Sequence, residues 1–147
     1  MKVRRMDHVG INVLDLPAAK AFFLDLGFEV MWEATMGGAF VEKVIGLQNV
    51  KDDCAMLRTP DGETTIELIQ FHSPLDEKGL QPSFANTLGI RHLAFLVDDL
   101  DAVVAKLKAR GTELFNEIQI YEDIYKEIFV RGPEGIIIEL AEELKKA

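Results

Sequence analysis

Apolar positions along this chain switch between two periods, and each switch marks an element. Over residues 8–13, His8, Gly10 and Asn12 alternate with Val9, Ile11 and Val13, the period of two that a half-buried strand requires. Asp15 and Pro17 follow, a cap acceptor and a proline tolerated in the first turn of a helix. Ala18, Ala19, Phe22, Phe23 and Leu26 make a helical apolar stripe, and Gly27 is the expected stop. Strands are expected over 28–32, 40–45, 54–58 and 64–71. Pro60-Asp61-Gly62 predicts a tight turn, because proline presets one torsion and glycine admits positive φ. Segments 54–58 and 64–71 therefore read as a hairpin.

The same grammar then recurs. Residues 91–97 read as a strand, Asp98 or Asp99 caps a helix running through Arg110, and Gly111 ends it. Short strands are expected over 113–115 and 117–121, and a last hairpin, 127–131 with 136–141, turns at Pro133-Glu134-Gly135. Segment 73–89, with two prolines and few apolar residues, reads as a linker, and the charged tail 142–147 as exposed. The recurrence is also literal. Asp7-His8-Val9-Gly10-Ile11-Asn12-Val13 returns as Arg91-His92-Leu93-Ala94-Phe95-Leu96-Val97 at an offset of 84, and Ala18 meets Ala102, and Gly27 meets Gly111, at that same offset. Met56-Leu57-Arg58-Thr59-Pro60-Asp61-Gly62 is echoed by Phe129-Val130-Arg131-Gly132-Pro133-Glu134-Gly135, and Thr65-Ile66-Glu67-Leu68 by Ile137-Ile138-Glu139-Leu140. Duplication of this kind reports architecture. The expectation is one α+β domain over 1–147, built of two tandem βαβββ modules (1–72 and 90–141) in a curved mixed sheet with the helices outside.

Composition narrows the partners. A chain of 147 residues with a net charge of -9 and no basic stripe argues against a nucleic-acid partner. No apolar run approaches a membrane span and no signal peptide is recognisable, so the expected compartment is the cytoplasm, with no membrane partner. Cys54 is the single cysteine, which excludes an intrachain disulfide and reads as a small buried hydrophobe.

Strand alternation sorts the candidate chemistry. The branched and aromatic face of each first strand should pack beneath a helix, leaving His8 and His92 on the opposite face. Glu67 lies between Ile66 and Leu68, and Glu139 between Ile138 and Leu140. A carboxylate in the middle of a sheet is costly unless a cation or metal accompanies it. The chain has three histidines, and two of them open the two copies. Two imidazoles and two carboxylates, His8, Glu67, His92 and Glu139, suit a divalent ion: zinc, nickel, cobalt, manganese or iron. His72, at a strand end beside Ser73-Pro74, reads as a surface residue.

Paired strand–helix–three-strand modules carrying His8, Glu67, His92 and Glu139 resemble the vicinal oxygen chelate superfamily over nearly the whole chain. That group includes glyoxalase I, methylmalonyl-CoA epimerase, extradiol dioxygenases, fosfomycin-resistance transferases and metal-free bleomycin-binding proteins. The resemblance implies a metal in a cleft of the curved sheet. Four ligands with Glu67 retained resemble the glyoxalase I and epimerase branches, which abstract a proton beside a carbonyl and pass through an enediolate. By that resemblance Glu139 is the first candidate for the catalytic base and Glu67 the second, and a homodimer is implied as well. Alternatives within the same fold are an epimerase, a metal-dependent dioxygenase and a metal-free drug-binding resistance protein.

Two departures stand out. Glutathione-using glyoxalase I places Arg four residues after the first His and Asn four after the first Glu, where this chain has Asn12 and Phe71. Asn12, Met56, Phe129 and Arg131 are the candidate substrate contacts. Arg58 and Arg131 occupy equivalent hairpin positions, either as anion binders or as exposed stems beside a turn.

Overall fold

A computed structural model describes residues 1–144, divided between two compact units, Met1–Gly79 and a second that begins at Leu80. The first unit runs β1 (Val9–Asn12), α1 (Leu16–Asp25), β2 (Glu29–Gly37), α2 (Ala39–Ile45), β3 (Lys51–Arg58), β4 (Thr65–Ser73). The second runs β5 (His92–Leu96), α3 (Leu100–Ala109), β6 (Glu113–Leu114), β7 (Gln119–Tyr121), β8 (Tyr125–Arg131) and β9 (Ile137–Glu143). Each unit has its own open mixed sheet, ordered β1-β4-β3-β2 in the first and β5-β9-β8-β6 in the second, where β7 also pairs with β8. In both, the first strand runs parallel to the last and the remaining pairs are antiparallel. The α+β architecture is the one the sequence predicts, and the βαβββ order gains a helix, α2, in the first unit and a strand, β7, in the second.

Helix starts follow from cap chemistry. The Asp15 carboxylate accepts from the Ala18 N–H at 3.0 Å, and Asp99 does the same for Ala102 at 3.0 Å. A second acceptor reaches each helix from its own sheet. Gln70 Oε1 accepts from the Leu16 N–H at 2.9 Å, and Glu142 Oε2 from the Leu100 N–H at 2.8 Å. Gly27 and Gly111 follow the helices at φ +94° and +85°, where a side chain would be strained.

One face of each sheet packs on its helix. In the first unit Ala19 and Phe23 of α1 are buried with Ala55, Leu57, Ile66 and Leu68, and the Phe23 and Phe28 rings meet edge to face at 5.3 Å. In the second, Leu100, Val104 and Leu107 of α3 are buried with Val130, Ile138 and Leu140. Each such side chain contributes about 1.5–3 kcal/mol by leaving water. The opposite faces carry the polar residues described below.

Two expectations need correction. Segment 40–45 is the helix α2, not a strand. Phe40, Val41, Val44 and Ile45 recur at helical spacing, and Gly46 closes the turn in the left-handed region at φ 74°. The charged tail also begins later than expected, because Glu142 and Glu143 belong to β9 and the Glu142 carboxylate is tied to α3. Residues 145–147 of that tail lie outside the described residues.

Candidate active site

Each unit brings one histidine and one glutamate to the sheet face away from its helix. In the first unit β1 lies beside β4 with Gly10 opposite Glu67, and Met56 of β3 opposite Glu67 on the other side. His8, immediately before β1, places Nε2 at 3.8 Å from Glu67 Oε2. Its Nδ1 lies 2.7 Å from Asp7 Oδ2. That contact orients the ring with Nε2 toward Glu67, and it holds the Asp7 carboxyl below its ordinary range. Asn12 is exposed on the same face, one strand step past Gly10, and Met56 is buried beside Glu67.

Cys54, two residues before Met56, is buried and donates to the Ala34 carbonyl at 3.5 Å. Burial, then the charge of Glu67, pushes its thiol pKa up, which makes it an inert thiol. His72 is exposed and paired with Asp53 at 2.8 Å. Arg58 is occupied by Glu29, to which Nε and Nη2 donate at 3.1 and 3.0 Å, so its side chain closes a surface ion pair.

In the second unit β9 lies between β5 and β8, with Glu139 opposite Ala94 on one side and Phe129 on the other. His92 is exposed at the start of β5, and its ring lies 5.0 Å from that of Phe129, which in turn meets Phe115 at 5.8 Å. Glu139 is half-buried. Burial raises its carboxyl above the usual range, the charge of Glu127 and a side-chain hydrogen bond with it raise it further, and His92 opposes the shift. Glu127 sits opposite Ala141, one diagonal step from Glu139 on the same face. Sequence reasoning missed it. Its counterpart in the first copy is Cys54, so a search for repeated acids passes it by.

Arg131 also projects on the His92 face, since His92 pairs with Ile137 and Ile137 with Arg131. Its Nη1 donates to the carbonyls of Ser83 and Gly135 at 2.9 and 3.3 Å, and its guanidinium lies 4.8 Å from the centre of the Phe115 ring.

The donor set of the first unit fits a divalent ion. Two donors about 2.1 Å from a shared ion lie about 3.4 Å apart at a tetrahedral angle and farther at wider ones. The separation of 3.8 Å between His8 and Glu67 falls in that range. A histidine whose other nitrogen is held by a carboxylate is the usual support of a metal ligand. A further acidic group, Asp99, Asp101 and Glu142, has donor atoms within 4.8 Å of one another. It is accounted for by the start of α3, where Asp99 and Glu142 accept backbone N–H groups, and by Lys126, whose ammonium lies 2.5 Å from Asp101.

Comparison with known proteins gives the family. The family model for the Glyoxalase/Bleomycin resistance protein/Dioxygenase superfamily matches residues 5–140. The chain belongs to that superfamily. A crystal structure of a glyoxalase family protein from Bacillus cereus is 38% identical, covering 99% of this chain and 97% of that one with a TM-score of 0.91. The uncharacterized protein YaeR of Escherichia coli is 31% identical over 96% of this chain and 98% of its own length. Glyoxalase I of Leishmania major shares the fold at 23% identity and a TM-score of 0.66, over 96% of this chain and 88% of that one. Superfamily members often use divalent metals. Among the described residues no helix is long and apolar enough to cross a membrane.

Proposed function

We propose that this superfamily member is a divalent-metal-dependent lyase or isomerase of the glyoxalase type, moving a proton on carbon beside a carbonyl of a small substrate through an enediolate. His8, Glu67, His92 and Glu139 are the residues assigned to hold the ion. The observation that carries the reading is the His8 Nε2–Glu67 pair at 3.8 Å with Asp7 behind the ring. When bound, the ion supplies Lewis-acid stabilisation of the oxyanion that develops in the transition state.

The remaining work falls to the chain. Glu139 is the base. Its half-buried setting and the neighbouring Glu127 raise its proton affinity, which suits a carboxylate that accepts a proton from carbon. Glu67 is the alternate base. Phe129, Met56 and Asn12 line the two sheet faces as substrate contacts.

The test is a screen of α-hydroxycarbonyl, thiohemiacetal and acyl-thioester compounds in heavy water with several added metals. Metal-dependent deuterium uptake at the α-carbon, lost in Glu139→Gln with metal still bound, is the expected result. Uptake confined to acyl thioesters would assign an epimerase, and dioxygen consumption without exchange would assign an oxygenase. Protein that takes up no metal and exchanges nothing would replace the enzyme with a ligand-binding module.

We further infer a cytoplasmic homodimer. β2 is an edge strand, and Met31 and Trp32 on it are 47% and 42% exposed, while Phe40 and Val44 of α2 are 80% and 67% exposed. Open edges and apolar patches of this kind call for cover. Sedimentation as a monomer at micromolar concentration would overturn it.

A further inference from the structure

We propose that the second unit carries a carboxylate-binding pocket built on Arg131, which takes the anionic end of a small molecule with an apolar body. The pocket is an open groove of about 430 Å³ between the segment before β5, which contributes Leu80, Pro82, Ser83 and Phe84, and the β8–β9 connection, where Arg131 and Glu134 line it. Leu80 and Phe84 are 55% and 60% exposed, apolar walls that a ligand would cover.

Arg131 is held ready for such a ligand. A guanidinium has five N–H donors in a fixed plane. Both hydrogens of Nη1 are directed at backbone carbonyls, of Ser83 and Gly135, and the ring of Phe115 supports the guanidinium face. Nη2 and Nε remain. Nε faces Glu113, whose Oε2 completes an ion pair at 3.8 Å from a side chain that is 71% exposed, so Nη2 is the donor left for a ligand. A guanidinium already fixed by packing loses little freedom when it grips a carboxylate. Arg91 adds positive charge behind the wall, donating Nη1 to Ser83 Oγ at 2.9 Å. One guanidinium donor edge matches a single carboxylate, whose apolar body seats on Leu80, Pro82 and Phe84.

The pocket also adjoins the catalytic face. Arg131 stands two strand positions from His92, about 10 Å away across the sheet. If the proposed reaction holds, the substrate is a carbonyl compound with a carboxylate at its far end. That last step rests on the proposed function, whereas the pocket itself does not.

The experiment is an NMR titration of the metal-free protein with acetate, butyrate, 3-phenylpropionate and the uncharged amide of the last. Saturable shifts at Ser83, Phe84, Gly135 and the Arg131 Nε–H are expected with 3-phenylpropionate, weaker ones with acetate, and none with the amide. Arg131→Gln should weaken binding about ten-fold or more, the loss of one charged hydrogen-bonded contact. Leu80→Glu, which leaves Arg131 and its partners in place, should weaken it as well and carries the test if Arg131→Gln does not fold. No saturation at tens of millimolar (order of magnitude), equal shifts with the amide, or shifts that survive both variants would overturn the pocket. Metal uptake is measured on the same samples. Shifts without metal uptake would leave the pocket standing and remove the proposed function, and metal uptake without shifts would do the reverse.

Discussion

The Asp7 carboxylate lies 2.7 Å from Nδ1 of His8, and the residue in the same place before His92 is Arg91. The two copies therefore support their histidines differently: one imidazole is oriented by an acid, the other by the Phe129 ring at 5.0 Å. Asp7 is well exposed, so its removal should leave the fold intact. Replacing it with Ala should lower divalent-metal affinity about 10- to 100-fold, the usual effect of losing an outer-sphere partner of a histidine ligand. Competition against a chromophoric chelator measures this directly. Unchanged affinity would show that His8 does not bind metal through Nε2.

Much of this arrangement was legible in the residues themselves. The α1 and α3 starts were readable because Asp15 and Asp99 supply local cap chemistry that needs no tertiary context. The faces of β1 and β5 were readable because strand alternation is strict, and their burial alternates as the period of two requires. α2 was misread because six residues from Phe40 to Ile45 are too short for apolar content alone to separate helix from strand. Glu127 was missed for a different reason. Its importance lies in a diagonal neighbour on β9, a relation that only the register of two strands reveals.

The paired acceptors at the helix starts should be worth similar amounts in the two units. Gln70→Ala removes the bond to the Leu16 N–H, and Glu142→Ala the bond to the Leu100 N–H. Each loss should cost about 0.5–2 kcal/mol. Urea unfolding monitored by circular dichroism reads the change. A loss below a few tenths of a kcal/mol (rough threshold) would mean that water replaces the side chain freely.

Asp52 is a different case, an acidic residue only 5% exposed on β3. Burial, and secondarily the charge of Asp53, raise its pKa above the ordinary value, with His72 opposing. An acid whose folded pKa is raised contributes stability below its unfolded pKa, and that contribution is lost as pH rises through the folded value. Asn keeps the shape and removes the ionisation. Asp52→Asn should therefore unfold at a higher temperature than the parent at pH near neutral, with the gap closing as pH falls below the unfolded carboxyl range. A gap that does not narrow in acid would assign the effect to packing instead of charge.

Glu127→Gln offers the sharpest view of the carboxyl pair on the second sheet. The charge of Glu127 and its hydrogen bond both raise the pKa of Glu139, after burial. Metal binding requires Glu139 as a carboxylate, so any proton it carries must leave when metal enters. In mildly acid solution the parent protein should release more protons per metal bound than Glu127→Gln does, because the substitution lets Glu139 ionise beforehand. Titration calorimetry in buffers of different ionisation enthalpy counts those protons. Glu139→Gln, which removes the ligand itself, should instead weaken binding at every pH, so the two variants separate the roles. Equal proton release from the parent and Glu127→Gln would mean that the pair does not share a proton, or that Glu139 is not a ligand, and the response of Glu139→Gln decides between those two.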